Sequence, residues 1–287
     1  MDQSKPRGPF CISPNLEFVK VKSIGEGSFA VVDLVKTVKG VPRLLAVKSS
    51  PSPSSSLRKE YRILREFIGF PSIVQCHGDR FLSIDELEVE YDNVFLEYAS
   101  GGSLLDLIGR YGGRIPESEV RRYTKMILEG LYYVHQKGYV HCDIKPENIL
   151  VYPLDESGSR FNLKLADFGS AKEPGEQDRK PGRGCVQGTA PYMSPESVKH
   201  GEISAALDVW SLGCVVREMM TGLHPWERLV IDSEDSATTS DCSRDVPDVP
   251  RDMSVAGTDF LNKCFDLDPK RRYTVDKLIG HPFVFSC

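Results

Sequence analysis

Apolar positions fall in short runs along the N-terminal part of the chain and at helical spacing along the rest. Phe18, Val19 and Val21 lead into Gly25-Glu26-Gly27-Ser28, and Ala30-Val31-Val32 follows. After a turn at Lys39-Gly40 comes Leu44-Leu45-Ala46-Val47, so these stretches predict strands. Ser49 to Ser56 is rich in Ser and Pro and reads as a mobile loop. Leu57, Ile63, Leu64 and Phe67 predict one helix over Leu57–Phe67. A strand pair is expected to bracket the acidic segment Asp79–Asp92.

The pattern changes after Asn93-Val94-Phe95-Leu96-Glu97-Tyr98, where Gly101-Gly102 reads as a short hinge. Val120, Tyr123, Ile127, Leu131 and Val134 predict a helix over Pro116–Gln136 that Gly138 ends. Ala205–Thr221 is apolar nearly all round, which predicts a buried helix with Ser204 as N-cap and Gly222 at its end. Thr274 is expected to cap a last short helix. No repeat recurs. The fold class expected is α+β, a small β-rich part followed by a larger helical one.

Composition narrows the function. The 287 residues allow two ordinary domains or one domain with two lobes. A net charge of -5 gives no general electrostatic reason to bind nucleic acid or an anionic membrane. The eight cysteines form no C-x-x-C pair and stand at no zinc-finger spacing from His, so buried apolar roles are expected for them. Met1-Asp2-Gln3-Ser4-Lys5-Pro6 lacks the apolar core of a signal peptide, and no apolar run approaches the ~20 residues of a membrane span. A cytoplasmic location is expected, with the nucleus also open.

Several motifs then carry chemistry in a fixed order. Gly25-x-Gly27-x-x-Ala30-x-Val32 lies between two strands, where glycines let backbone N–H groups approach phosphate oxygens. Taken alone, such a pair is equally a plain hairpin turn. A dinucleotide-binding unit would need a helix after the glycines, and a strand follows. Lys48 ends the apolar run Ala46-Val47, and Glu60 on the next helix is a candidate partner, although taken without the other motifs it reads as a surface helix charge. His141-Cys142-Asp143-Ile144-Lys145-Pro146-Glu147-Asn148-Ile149-Leu150 packs an acid, a Lys and an Asn between a long helix and an apolar strand. Asp167-Phe168-Gly169 follows, then Gly188-Thr189-Ala190-Pro191-Tyr192-Met193-Ser194-Pro195-Glu196. One carboxylate can orient and deprotonate a hydroxyl, while Asn148 and Asp167 offer hard oxygens suited to Mg²⁺. Phosphoryl transfer is the reaction these pieces fit.

In this order the motifs resemble the signature set of eukaryotic protein kinases, from about Phe18 to Phe285. The resemblance extends to Asp208-Val209-Trp210-Ser211-Leu212-Gly213 and Asp268-Pro269-x-x-Arg272. It implies a bilobal kinase fold over residues 16–285, after a short tail at 1–15. Residues 16–97 would form the small antiparallel β lobe with one major helix, 98–102 the hinge and 103–285 the mainly helical large lobe. It implies ATP and Mg²⁺ as cofactors. Lys48 would hold the α/β-phosphates and pair with Glu60, Asp143 would be the base, and Lys145 would neutralise the transferring group. Asn148 and Asp167 would hold Mg²⁺, with Gly25 and Gly27 over the phosphates. Ile24, Val32 and Ala46 would cover the adenine, with Leu150 beneath. Leu96 looks like the gatekeeper, and the backbones of Glu97 and Ala99 would face the adenine edge. Glu196 should pair with Arg272 as a buried link.

Lys145 and Thr189 resemble serine/threonine rather than tyrosine kinases. Glu97 to Leu104, Gly169-Ser170-Ala171-Lys172 and Gly280-His281-Pro282-Phe283 look most like MAP kinase kinase kinases, particularly the plant MEKK-like group. That implies a MAP kinase kinase as protein substrate, no nucleic-acid or membrane partner, and a monomeric catalytic domain. A pseudokinase scaffold is the alternative, and the full set Lys48, Glu60, Asp143, Asn148 and Asp167 argues against it. Phosphorylation of a small molecule is disfavoured by Gly188 to Glu196, which resemble a peptide-binding loop.

Two substitutions within the motifs are mild: Ala30 for the third loop glycine and Ser194 for the Ala of A-P-E. Cys142 is informative, because it replaces an Arg that typically binds a phosphorylated residue in the activation segment. Between Ala171 and Gly188 the chain has no Ser, Thr or Tyr. Two readings stay open: a segment that reaches its active form without phosphate, and a loop that stays disordered until a partner binds. Cys142 is expected to pack as a small apolar residue, and a redox role for it or Cys185 has thin support. Ser50-Pro51 and Ser52-Pro53 fit proline-directed phosphorylation, though a plain loop is the expected reading. Asp232–Asp252, acidic and Ser/Asp-rich, is expected to be a solvated loop.

Overall fold

Five antiparallel strands and one helix account for the described residues before Ala99. The computed structural model describes residues 17–27, 30–155, 160–176, 188–227 and 246–285. The chain divides into two compact units, one through Phe70 together with Val74–Ala99, the other Pro71–Ile73 together with the residues from Ser100.

In the small unit, β1 (Phe18–Glu26), β2 (Val31–Thr37), β3 (Leu44–Pro51), β4 (Cys76–Ile84) and β5 (Glu90–Glu97) form one sheet in the order β1-β2-β3-β5-β4. Alternation along the strands sends Phe18, Val35, Leu45, Val47, Phe81 and Phe95 into one apolar cluster. Phe95 meets Phe18 edge-on and stacks on Phe81 at 4.8 Å. α1 (Ser55–Glu66) packs on β4 and β5 through Leu57, Ile63 and Leu64.

One local expectation fails here and the bounds of another shift. Ser49 to Ser56 is not a loop: residues 49–51 belong to β3, Ser54 is the N-cap of α1 and residues 55–56 lie in its first turn. Pairing with β5 decides this, as Ser50 stands opposite Asp92 and Pro51 opposite Tyr91. The strand pair expected around the acidic segment 79–92 is present as β4 and β5, but it takes in most of that segment, and only residues 85–89 make the turn.

The second unit is mainly helical, and the whole is α+β. α2 (Leu104–Arg110) starts with a capping box between Ser103 and Asp106. Gly101 and Gly102 exchange backbone hydrogen bonds with Val151, so both are fixed to β6 (Ile149–Pro153). α3 (Glu117–Gln136) packs on β7 (Phe161–Leu165), which pairs with β6. After α4 (Pro195–His200), α5 (Ala205–Thr221) runs through the core, buried on every side from Leu207 to Thr221. α6 (Val255–Cys264), α7 (Val275–Ile279) and α8 (Pro282–Phe285) complete the unit. Ser204 and Thr274 occupy the expected N-cap positions, but neither side chain makes the capping hydrogen bond. Cys185 and residues 232–245 lie outside the described residues.

Candidate active site

The small unit places its candidate residues along β1 to β3 and α1. Val32 stands opposite Lys48, and Ala46 lies two residues before it, so Val32, Ala46 and Lys48 share one face of the sheet. Ile24 sits at an irregularity of β1 between Ser23 and Gly25 and is partly exposed. A Cβ at Gly25 or Gly27 would meet only ordinary contacts, 3.6 Å from Val32 and from the Ala30 carbonyl respectively. Among the described residues, packing therefore does not require glycine at either place. A ligand backbone approach does supply such a reason.

Lys48 Nζ donates to Glu60 Oε2 at 2.6 Å, with Glu60 buried on α1. This ion pair joins strand to helix and fixes the ammonium in place. Leu96 is buried at the end of β5. Glu97 closes that strand, its Oε1 accepting from the Gln75 N–H at 2.8 Å, and Ala99 follows outside any strand.

In the large unit, the catalytic-loop candidates meet directly. Asp143 Oδ1 accepts from Thr189 Oγ1 at 2.7 Å, and Asp143 Oδ2 accepts from Asn148 Nδ2 at 2.8 Å. Lys145 Nζ donates to Thr189 Oγ1 at 2.7 Å and lies 3.2 Å from Asp143 Oδ2. Asn148 Nδ2 also donates to the Asp143 carbonyl. Its NH₂ is thus engaged, which leaves the amide oxygen as the group for a cation. The Ala166 N–H donates to the Asn148 carbonyl at 2.9 Å, bringing Asp167 beside Asn148 along the β6–β7 pair. Asp167 has a left-handed backbone, φ 62°, and its Oδ1 accepts from the Gly169 N–H. Two hard oxygen donors suit Mg²⁺, which keeps waters and binds substrate phosphates besides. Among the described residues no three His, Cys, Asp or Glu side chains cluster as a metal site. Leu150 is half-buried on β6.

His141 Nε2 lies 3.0 Å from the Ala166 carbonyl, which can only accept, and His141 Nδ1 takes the Asp143 N–H. The imidazole is therefore the Nε2–H tautomer, held against the buried Phe168 ring at 4.6 Å. The sequence did not reveal what holds this loop. Asp208, wholly buried on α5, accepts the backbone N–H groups of His141 and Cys142 and meets His135 Nε2 at 2.8 Å. An acid in a mostly apolar helix was the available signal.

Residues 18–284 match the protein kinase domain family. The chain belongs to that family. Among its relatives, Mitogen-activated protein kinase kinase kinase 20 of Arabidopsis thaliana is 38% identical over 280 residues, covering 94% of this chain and 78% of its own length. Mitogen-activated protein kinase kinase kinase 18 of the same plant is 33% identical, with the same coverage. Mitogen-activated protein kinase kinase kinase YODA is 34% identical over 98% of this chain, but over only 31% of its own length. The chain is a serine/threonine protein kinase similar to plant MAP kinase kinase kinases.

Further features of the kinase follow from packing. Arg272 donates from Nη1 and Nη2 to the two oxygens of Glu196 at 2.6 and 3.0 Å, both residues buried. Burial would raise the Glu196 carboxyl, but the hydrogen bonds from Arg272 and Ser194 hold it below the usual range. Cys142 has φ 68° and packs in an apolar cluster with Val140, Met193 and Leu207, with Ile203 against it. No helix among the described residues is long and apolar enough to cross a membrane.

Proposed function

We propose that this kinase transfers the γ-phosphoryl group of ATP to Ser or Thr of a MAP kinase kinase, with Mg²⁺ as cofactor. The observation that supports this reading most is the joined set Asp143, Lys145, Asn148 and Thr189. The names of the relatives supply the substrate class. The extent of the parts, residues 16–97, 98–102 and 103–285, belongs to the same proposal.

In it, Asp143 accepts the proton of the substrate hydroxyl, with Thr189 and Asn148 fixing its carboxylate beforehand. Lys145 stabilises charge on the transferring group, and Lys48, held by Glu60, positions the α/β-phosphates. Asn148 and Asp167 would hold Mg²⁺, which would offset phosphate charge. Ile24, Val32 and Ala46 cover one face of the adenine and Leu150 the other, with the Glu97 and Ala99 backbones at its edge. Gly25 and Gly27 bring their N–H groups to the phosphates. Positioning and electrostatics account for the catalysis, with turnover in the roughly 1–100 s⁻¹ range of kinases.

An in vitro assay with Mg-ATP and a kinase-dead MAP kinase kinase tests it, with phosphopeptide mapping of the product. Phosphate on Ser or Thr is expected. Asp143→Asn should abolish transfer while nucleotide binding persists. Retained turnover in that variant would remove Asp143 from the role of base, and an inert wild-type protein would overturn the reading.

A further inference from the structure

One buried acid of the small unit has no part in the chemistry above. Asp92 lies on β5, opposite Ser50 of β3 and Leu82 of β4, and has no exposed surface. Its Oδ2 accepts from the Ser54 backbone N–H at 2.8 Å and from Arg58 Nε at 3.0 Å, while its Oδ1 accepts from Arg80 Nη1. Burial would raise this carboxyl, but these hydrogen bonds and the two guanidinium charges hold it below the usual range. It is charged at neutral pH.

Two of the three donors belong to one end of α1. Ser54 is its N-cap, and Arg58 lies one turn in. The helix carries no acidic residue in its own first turn, so the positive end of its dipole lacks a local counter-charge. Asp92 supplies that charge from the adjacent strand. Glu60 follows Arg58 by two residues, and its partner Lys48 lies on β3, which is hydrogen-bonded to β5 over seven paired residues that include Ser50–Asp92 and Lys48–Val94. The carboxylate thus fixes the start of α1 to the strand beside the one that carries Lys48.

We propose that Asp92 is a positioning residue for phosphoryl transfer, tying the first turn of α1 to the sheet so that Glu60 stays on Lys48. The inference rests on the kinase reading. It differs from a plain stabilising role, because only the helix side of the carboxylate should matter for turnover. Arg58 marks that side, and Arg80 on β4 marks the other.

The test compares Asp92→Asn, Arg58→Gln, Arg80→Gln, Glu60→Gln and the Asp92→Asn/Glu60→Gln double variant. Steady-state kinetics at saturating Mg-ATP is read beside amide hydrogen exchange in residues 55–66. We expect Asp92→Asn and Arg58→Gln to lower kcat about tenfold or more, as a misplaced catalytic group does. Exchange in 55–66 should quicken in both. Arg80→Gln should keep kcat within about twofold, and the double variant should be no slower than Glu60→Gln alone, since the two act through one contact. The proposal is overturned if folded Asp92→Asn keeps wild-type kcat and wild-type exchange. Equal kcat losses from Arg80→Gln and Arg58→Gln would also overturn it, as would multiplicative losses in the double variant. Should Asp92→Asn not fold, Arg58→Gln carries the same test. An inert wild-type protein sinks the kinase reading instead, while exchange in 55–66 still reports on the tie.

Discussion

Gly188 and Cys142 meet backbone to backbone. Gly188 has φ 106°, and a Cβ there would stand 2.2 Å from the Cys142 carbonyl oxygen. That approach brings the residue before Thr189 onto the residue before Asp143, so the Thr189–Asp143 hydrogen bond depends on it. Gly188→Ala should therefore cost about 1–3 kcal/mol in backbone strain and lower kcat about tenfold or more, measured by urea unfolding and initial rates. Cys142 makes the complementary case. The sequence exposed the replaced Arg, but not that the residue is buried at φ 68° among Val140, Met193 and Leu207. Cys142→Arg would put a charge into that apolar cluster and should destabilise the protein by about 3 kcal/mol or more. A melting temperature equal to wild type would refute this.

At the scale of elements, success followed locality. The apolar faces of α3 and α5 repeat within a few residues, and both helices end at Gln136 and Thr221 as their spacing predicts. The start of α1 was hidden because what orders it, Asp92, lies 38 residues from Ser54, while the local Ser/Pro run imitates a loop. The apolar reading of α5 likewise masked its polar work. Glu218 is buried there, and Tyr192 Oη donates to its Oε2 at 2.6 Å. Burial, with the nearby Glu147 charge, pushes the Glu218 carboxyl up to about 7. The folded protein then binds this proton more tightly than the unfolded chain, so the stabilisation is complete below a pH of about 4.5 and lost as pH rises through about 7. Glu218→Gln keeps an acceptor for Tyr192 and removes the titration. Relative to wild type it should gain about 1–3 kcal/mol between about pH 5 and pH 8, read by urea unfolding at both. The link between α4 and the loop before α7 behaves oppositely. Arg272→Ala leaves Glu196 buried and unpaired, and should cost about 3–5 kcal/mol at neutral pH in the same assay.

For the molecule as a whole, the order of motifs made the kinase legible, because each half of the chain carries chemistry the other lacks. What the motifs did not reveal is how the parts are held. Asp208 grips the backbone of His141 and Cys142, and the Cys142 side chain closes an apolar cluster. Gly188 lies on the Cys142 carbonyl, and Thr189 is bonded to both Asp143 and Lys145. In the small unit, Glu60 is already on Lys48. Each of these ties is made by groups the chain itself supplies. The sequence agrees, with no Ser, Thr or Tyr between Ala171 and Gly188 and no Arg at position 142 to receive a phosphate. A kinase ordered in this way should not respond to dephosphorylation. We predict that protein treated with a broad-specificity phosphatase, and verified by mass spectrometry to carry no phosphate, keeps its kcat within about twofold of the untreated sample. The phosphatase must be removed before Mg-ATP and substrate are added, and initial rates taken before new phosphate accumulates. Loss of most activity, regained on incubation with ATP alone, would mean that a phosphorylated residue outside 171–188 completes the site.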